Sequence, residues 1–199
     1  RAGFQELQEK EPWDLEPGGR YYFSRNMSAL VAFAVGRRYQ PGDGFVIMGA
    51  HTDSPCPKLK PEPAVTKGGF LQVGCQPYGG GIWHTWFDRD LGVAGRVLVR
   101  GPGGSLAQRL LKIERPILRI PSLAIHLDRN VNTSNEINFQ KHMAPVLALQ
   151  QGGDGPPDII QTIAEELGCA AEDITDFDLQ LCDVQPAALG GSRNEFVNS

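Results

Sequence analysis

The chain has 199 residues, 41% of them apolar, a net charge of -4 and a pI near 5.6. That is enough chain for one large domain or two small ones, and enough apolar content for a sizeable core. With 23 acidic against 19 basic residues there is no basic stripe to neutralise phosphates, and no apolar run approaches the roughly 18 residues of a membrane span. Nucleic-acid binding and a helical membrane anchor are therefore not expected.

In chain order, "AGFQELQEK" reads as the end of a helix already under way, which suggests sequence upstream of residue 1. "RYYFS" reads as a short aromatic strand. "SALVAFAVG" is a near-continuous apolar run, as in a strand buried on both faces. "QPGDG" is a turn, and "FVIMGA" reads as the next buried strand. His51 then falls just past a strand's C-terminal end, the edge at which open α/β sheets form ligand crevices. "SPCPKLKPEP" has four prolines in ten residues. It is expected to be a linker, because proline disfavours both helix interiors and central strands.

From residue 69 to about 127 short apolar runs alternate with glycines and prolines. "FLQVGC", "LGVAGRVLVRG", "LLKIERPILRIP" and "LAIHLD" are expected as strands of a barrel or sandwich. "MAPVLAL" leaves helix and strand open, and "QQGGDGPP" carries little structural information. "PDIIQTIAEELG" predicts a helix, with Pro157 in its first turn and Gly168 at its C-terminal cap. Ile159, Ile160, Ile163, Ala164 and Leu167 fall on one face of it. "DFDLQLCDV" alternates as a half-buried strand, and "AALGGSRNEFVNS" reads as a turn and a last extended piece. No internal repeat is found. Cys56, Cys75, Cys169 and Cys182 form no C-x-x-C pair and read as scattered reduced thiols, which points to the cytoplasm.

The word "GFVIMGAHTDSP" carries the first chemical signal. A neutral imidazole binds Zn²⁺, and its second ring nitrogen needs a partner, often a carboxylate, to fix the tautomer. His51 and Asp53 could fill those two roles, or they could be a polar turn at a strand end. Taken alone, the other polar residues have plain structural readings. His84 sits among aromatics and glycines and reads as packing or surface. His142 lies in a polar stretch and reads as exposed. Asp88 and Asp90 flank Arg89 and read as a structural ion pair rather than an acid–base couple. Gly79, Gly80 and Gly81 read as a tight turn, and Lys58, Lys60 and Arg193 as solvated charges. His126 reads as a strand histidine.

The longer words add a resemblance. "GAHTDSP" resembles the first metal-ligand motif of the cocatalytic two-zinc aminopeptidases. "YGGGIWHTWFDRDLGVAGRV", "ERPILRIPSLAIHLDRNVN" and "DVQPAALGGSRNEF" narrow the likeness to the aspartyl aminopeptidases. It runs almost end to end and is weakest near residues 149 to 157, where the family has a longer polar segment.

The resemblance implies an α/β fold: part of an α/β/α zinc-peptidase catalytic domain, followed by an inserted β-rich oligomerisation domain. The implied division is residues 1–60 catalytic, 61–187 inserted and 188–199 returning to the catalytic domain. It also implies His51 as a ligand of one of two zinc ions per complete active site, and Asp53 as the carboxylate that orients it. It implies that His126 reaches a neighbouring subunit's active site, to bind substrate or stabilise the tetrahedral intermediate. The remaining ligands are expected beyond Ser199, so this chain by itself is expected to be inactive. The implied substrates are peptides with an N-terminal Asp or Glu, and the implied partner is a second copy of the chain, joined through the β-rich domain. Two rival readings are a non-catalytic oligomerisation or scaffold protein of the same descent, and a related hydrolase acting on acyl-amino acids.

Overall fold

The computed structural model describes residues 2–134, 136–150 and 158–198. The chain divides into two compact units, Arg1–Thr52 and Asp53–Ser199.

The first unit is built on a three-stranded sheet. Strand β1 (Gln5–Glu6) pairs in parallel with β2 (Arg20–Arg25), and β2 pairs antiparallel with β3 (Ala29–Ala34). Strand β1 takes the place of the helix end expected there. The three-residue connection between β2 and β3 holds Asn26 and Met27 at positive φ, and the Ser28 amide donates to the Arg25 carbonyl at 3.1 Å to close the turn. Trp13 covers one side of it, with ring centroids 5.2 Å from Phe23 and 5.9 Å from Phe33.

Two further expectations fail in this unit. Strand β3 is not buried on both faces: it is a sheet edge, and Leu30 and Val31 are exposed. The "FVIMGA" run is not a strand at all. Phe45, Val46, Ile47 and Met48 are 80, 95, 86 and 93% exposed, since no described strand of this unit offers them a hydrogen-bonding ladder.

The second unit holds a six-stranded antiparallel sheet. Its strands are β4 (Cys56–Lys67), β5 (Phe70–Tyr78), β6 (Leu91–Arg100), β7 (Leu106–Lys112), β8 (Val146–Leu149) and β9 (Ile174–Asp183). They run in the order β7-β6-β9-β4-β5-β8. A one-turn helix α1 (Phe139–His142) precedes β8, and helix α2 (Ile159–Leu167) precedes β9. A short hairpin, β10 (Ala188–Gly190) with β11 (Phe196–Asn198), closes the unit. Arg119 is bridged to Val146 of β8 and the adjoining Leu118 to Leu91 of β6, so the strands link back on one another in keeping with the expected barrel, with helix α2 packed against them.

The proline-rich stretch is the largest departure from the expected linker, since β4 is an interior strand. Pro57 lies opposite Pro77 of β5. Two residues without N–H groups can face each other only at a non-hydrogen-bonded pair of an antiparallel ladder, where none is required. Pro61 and Pro63 fall where the register shifts between Leu59 and Ala64, so the missing donors coincide with a break in the ladder.

The core lies between the sheet and α2. Val73, Leu91, Val93, Val97, Leu179 and Leu181 come from the strands, and Ile159, Ile163 and Leu167 from the helix. The helix is the one the periodicity predicts. Asp158 caps it, its side chain accepting from the Ile160 N–H at 3.2 Å, and Gly168 ends it at φ 63°. Pro157, expected in its first turn, and most of "QQGGDGPP" lie outside the described residues. Within the sheet, Gly95 of β6 holds φ at 148°, and a Cβ there would lie 2.1 Å from the Asp178 carbonyl oxygen of β9. No helix among the described residues is long and apolar enough to cross a membrane.

Candidate metal centre

His51 lies on exposed, non-strand backbone in the first unit, beyond the apolar run. Asp53 opens the second unit, just ahead of β4. Its carboxylate accepts a hydrogen bond from the Tyr78 hydroxyl at the far end of β5. The sheet register explains the meeting: Cys56 is paired with Tyr78, which carries the tyrosine back to the segment entering β4. The hydrogen bond to Asp53, together with its negative charge, pushes the Tyr78 phenol above its ordinary pKa. Lys58 sits 5.5 Å from the centre of the Tyr78 ring and is ion-paired with Asp178 at 2.7 Å. It is therefore not the solvated charge its spacing suggests.

The residues present do not by themselves make a zinc site. Catalytic zinc takes three protein ligands plus water. Among the described residues no group of three or more His, Cys, Asp or Glu side chains gathers to hold an ion. The motif offers one imidazole and one carboxylate, and no chemical step is assigned to zinc on this basis.

His126 is not on a strand. It sits in an exposed turn closed by hydrogen bonds from the Leu127 and Asp128 amides to the Ala124 carbonyl, at 2.8 and 3.2 Å. Leu123, Ile125 and Leu127 around it are exposed as well. The alternation of "LAIHL" has the period of a strand, but no ladder receives it.

Just before that turn the chain is tied down by the "WFDRD" segment. The Asp88 amide donates to the Ile120 carbonyl at 2.9 Å, and the Ser122 amide donates to the Asp88 carboxylate at 3.0 Å. The hydrogen bonds from Ser122, with Arg119 nearby, hold the Asp88 carboxyl below its usual range. Arg89 pairs with Asp183 and Asp90 with Arg119, the latter at 2.9 Å. The Asp-Arg-Asp triplet is structural, as read, but its ion pairs run to other segments rather than within the triplet.

His84 is exposed in a 3-10 turn (Trp83–Trp86). His142 is exposed too, its Nδ1 accepting the Asn138 amide at 3.1 Å. Tyr78 and the Asp88 attachment are the features that sequence reasoning missed. Neither has a local signal, since both depend on which strands pair.

The chain matches the aminopeptidase I zinc metalloprotease (M18) description over residues 1–199, and it belongs to that family. Its relatives include a probable aspartyl aminopeptidase of Ricinus communis, 47% identical over all of this chain and 48% of that protein. An aspartyl aminopeptidase of Dictyostelium discoideum is 45% identical over 99% of this chain and 47% of its own. Among solved structures, the cryo-EM structure of the Ape4 and Nbr1 complex is similar at a TM-score of 0.89 and 42% identity. That likeness covers 98% of this chain and 41% of the other. The S. cerevisiae mApe1 dodecamer is similar at 0.74 and 28%, covering 98% and 44%. The mixed architecture of sheets with few helices agrees with the expected α/β class. The chain spans about half the length of the curated relatives it matches.

Proposed function

We propose that this chain forms part of a zinc aminopeptidase that removes N-terminal Asp or Glu from peptides in the cytoplasm. The observation that carries this reading is the family match along the whole chain, with relatives named aspartyl aminopeptidase at 45–47% identity. Residues 1–60 and 188–199 belong to the catalytic domain, and residues 61–187 to an inserted domain that joins copies of the chain. His51 is a ligand to one of two zinc ions, alongside ligands this chain does not supply. Asp53 is the carboxylate that orients the His51 ring, accepting a hydrogen bond from its N–H so that the other nitrogen is free to ligate.

His126 serves a neighbouring subunit, where its ring N–H donates to the oxygen of the scissile carbonyl as that carbon becomes tetrahedral. The exposed turn that carries it supports this role. Three flanking apolar side chains face solvent, which suits a segment that is covered on assembly.

The test is His51→Ala in the full-length protein, assayed on peptides beginning with Asp or Glu and on matched peptides beginning with Leu. Loss of hydrolysis together with a lower zinc content is expected. Near-normal activity with full zinc overturns the metal assignment. A wild-type protein that loads zinc but cleaves none of these peptides favours the scaffold reading.

A further inference from the structure

We propose that Asp88 is a positioning residue for His126: it clamps the N-terminal limb of the turn that carries the imidazole. This rests on the role proposed above for His126. The limb leaves the core at a defined place. Leu118 exchanges hydrogen bonds with Leu91, each at 3.0 Å, and Ile120 is fully buried. Asp88 then holds the next residues from two sides, its backbone N–H on the Ile120 carbonyl and its carboxylate on the Ser122 amide. Beyond Ser122 the hydrogen bonds are local, with the Leu127 and Asp128 amides returning to Ala124. Ser122 is thus where the limb is last tied to the body of the unit before His126.

The backbone at Asp88 fits this role. Its φ is 58°, a left-handed conformation uncommon outside glycine, in which Asp and Asn are enriched. That conformation lets the amide and the carboxylate of one residue address the same neighbouring segment. Glycine would hold the same φ with no strain, but a glycine here would leave the Ser122 amide without its acceptor. The Asp88 carboxyl is held in its charged form by the Ser122 hydrogen bonds and by Arg119, which keeps it an acceptor at neutral pH. A displacement of about 1 Å at a reacting group can cost on the order of 10²-fold in rate.

The experiment is a double-mutant cycle in the full-length protein. The variants are Asp88→Gly, which keeps the backbone conformation, Asp88→Asn, which keeps an acceptor, and His126→Ala. Zinc content and oligomeric state are verified equal throughout. Asp88→Gly should lower kcat about 10-fold, in the range typical of residues that orient an active-site group, and Asp88→Asn should restore most of it. In the His126→Ala background Asp88→Gly should change kcat by less than about 2-fold, because its effect runs through the missing ring. Hydrogen exchange of residues 121–128 should also quicken in Asp88→Gly. An undiminished 10-fold loss in the His126→Ala background, or unchanged kcat or exchange in Asp88→Gly, overturns the positioning role. If His126→Ala itself keeps full kcat, the role of His126 fails first and that of Asp88 falls with it.

Discussion

Gly95→Ala is expected to be among the most damaging single-methyl additions in the second unit. Strand β6 is held on both sides, with Gly95 paired to Leu111 of β7 and to Leu179 of β9. The added Cβ would lie 2.1 Å from the Asp178 carbonyl oxygen and 3.1 Å from the Leu179 Cα, all backbone atoms of a neighbour that cannot rotate away. Normal separation requires β6 to retreat by roughly 1 Å, but Val93, Val97 and Leu179, all fully buried, pack on either side. Overpacking of this kind costs about 1–3 kcal/mol. The backbone adds about 1–3 kcal/mol, because φ 148° is a conformation that L side chains rarely adopt.

Gly168→Ala is the control. Its φ of 63° is also left-handed, but a Cβ there meets nothing within 4 Å, so only about 1 kcal/mol is expected. Urea unfolding followed by tryptophan fluorescence reads both, since Trp83 and Trp86 pack against the core. At equal m-values, Gly95→Ala should lose at least about 1 kcal/mol more than Gly168→Ala. A difference under about 0.5 kcal/mol would refute the reasoning, because the sheet would then be yielding where the structure shows it pinned.

Cys75 is buried and its thiol is pushed up to about 12 from 9.0 by burial. The folded state therefore keeps a proton the unfolded chain gives up. Its contribution to stability is whole below pH 9 and falls away as pH rises toward 12, by at most about 1.4 kcal/mol per pH unit. Denaturation curves from pH 8 to 11 should show a shallower alkaline loss in Cys75→Ala than in wild type, and equal slopes would remove Cys75 as the cause. Full-length His51→Ala and His126→Ala subunits, each inactive or weakened alone, should regain part of the activity when co-assembled, since some sites then join an intact metal ligand to an intact donor. No gain in verified mixed oligomers would place the action of His126 within its own subunit.

What the sequence made legible was local. The helix at 159–167 carries its own face, its Asp158 cap and its Gly168 stop, all within reach of neighbouring residues. "DFDLQLCDV" became strand β9 through its alternation of apolar and polar residues, and "LGVAGRVLVRG" became its partner β6 with Val93, Val97 and Val99 suited to a pleated surface. The errors came where a pattern needs a partner to mean anything. "FVIMGA" and "LAIHLD" have apolar side chains in strand-like order, but order does not say what covers them. The prolines of β4 argue against an interior strand, but facing Pro57 with Pro77 of β5 and placing Pro61 and Pro63 at a register break removes the objection. The site divides the same way. His51 and Asp53 stand two residues apart and could be read together, whereas Tyr78 reaches Asp53 only through the β4–β5 register.

The uncovered Phe45, Val46, Ile47 and Met48 have a practical consequence. The run FVIMGA, uncharged, free of proline and led by strand-forming Phe45, Val46 and Ile47, makes a segment able to stack on copies of itself. Preparations of these 199 residues will carry a tendency to precipitate that has nothing to do with orderly subunit assembly. Turbidity that grows with concentration and falls when Ile47 is replaced by Lys would trace clumping to this patch rather than to the β-rich unit.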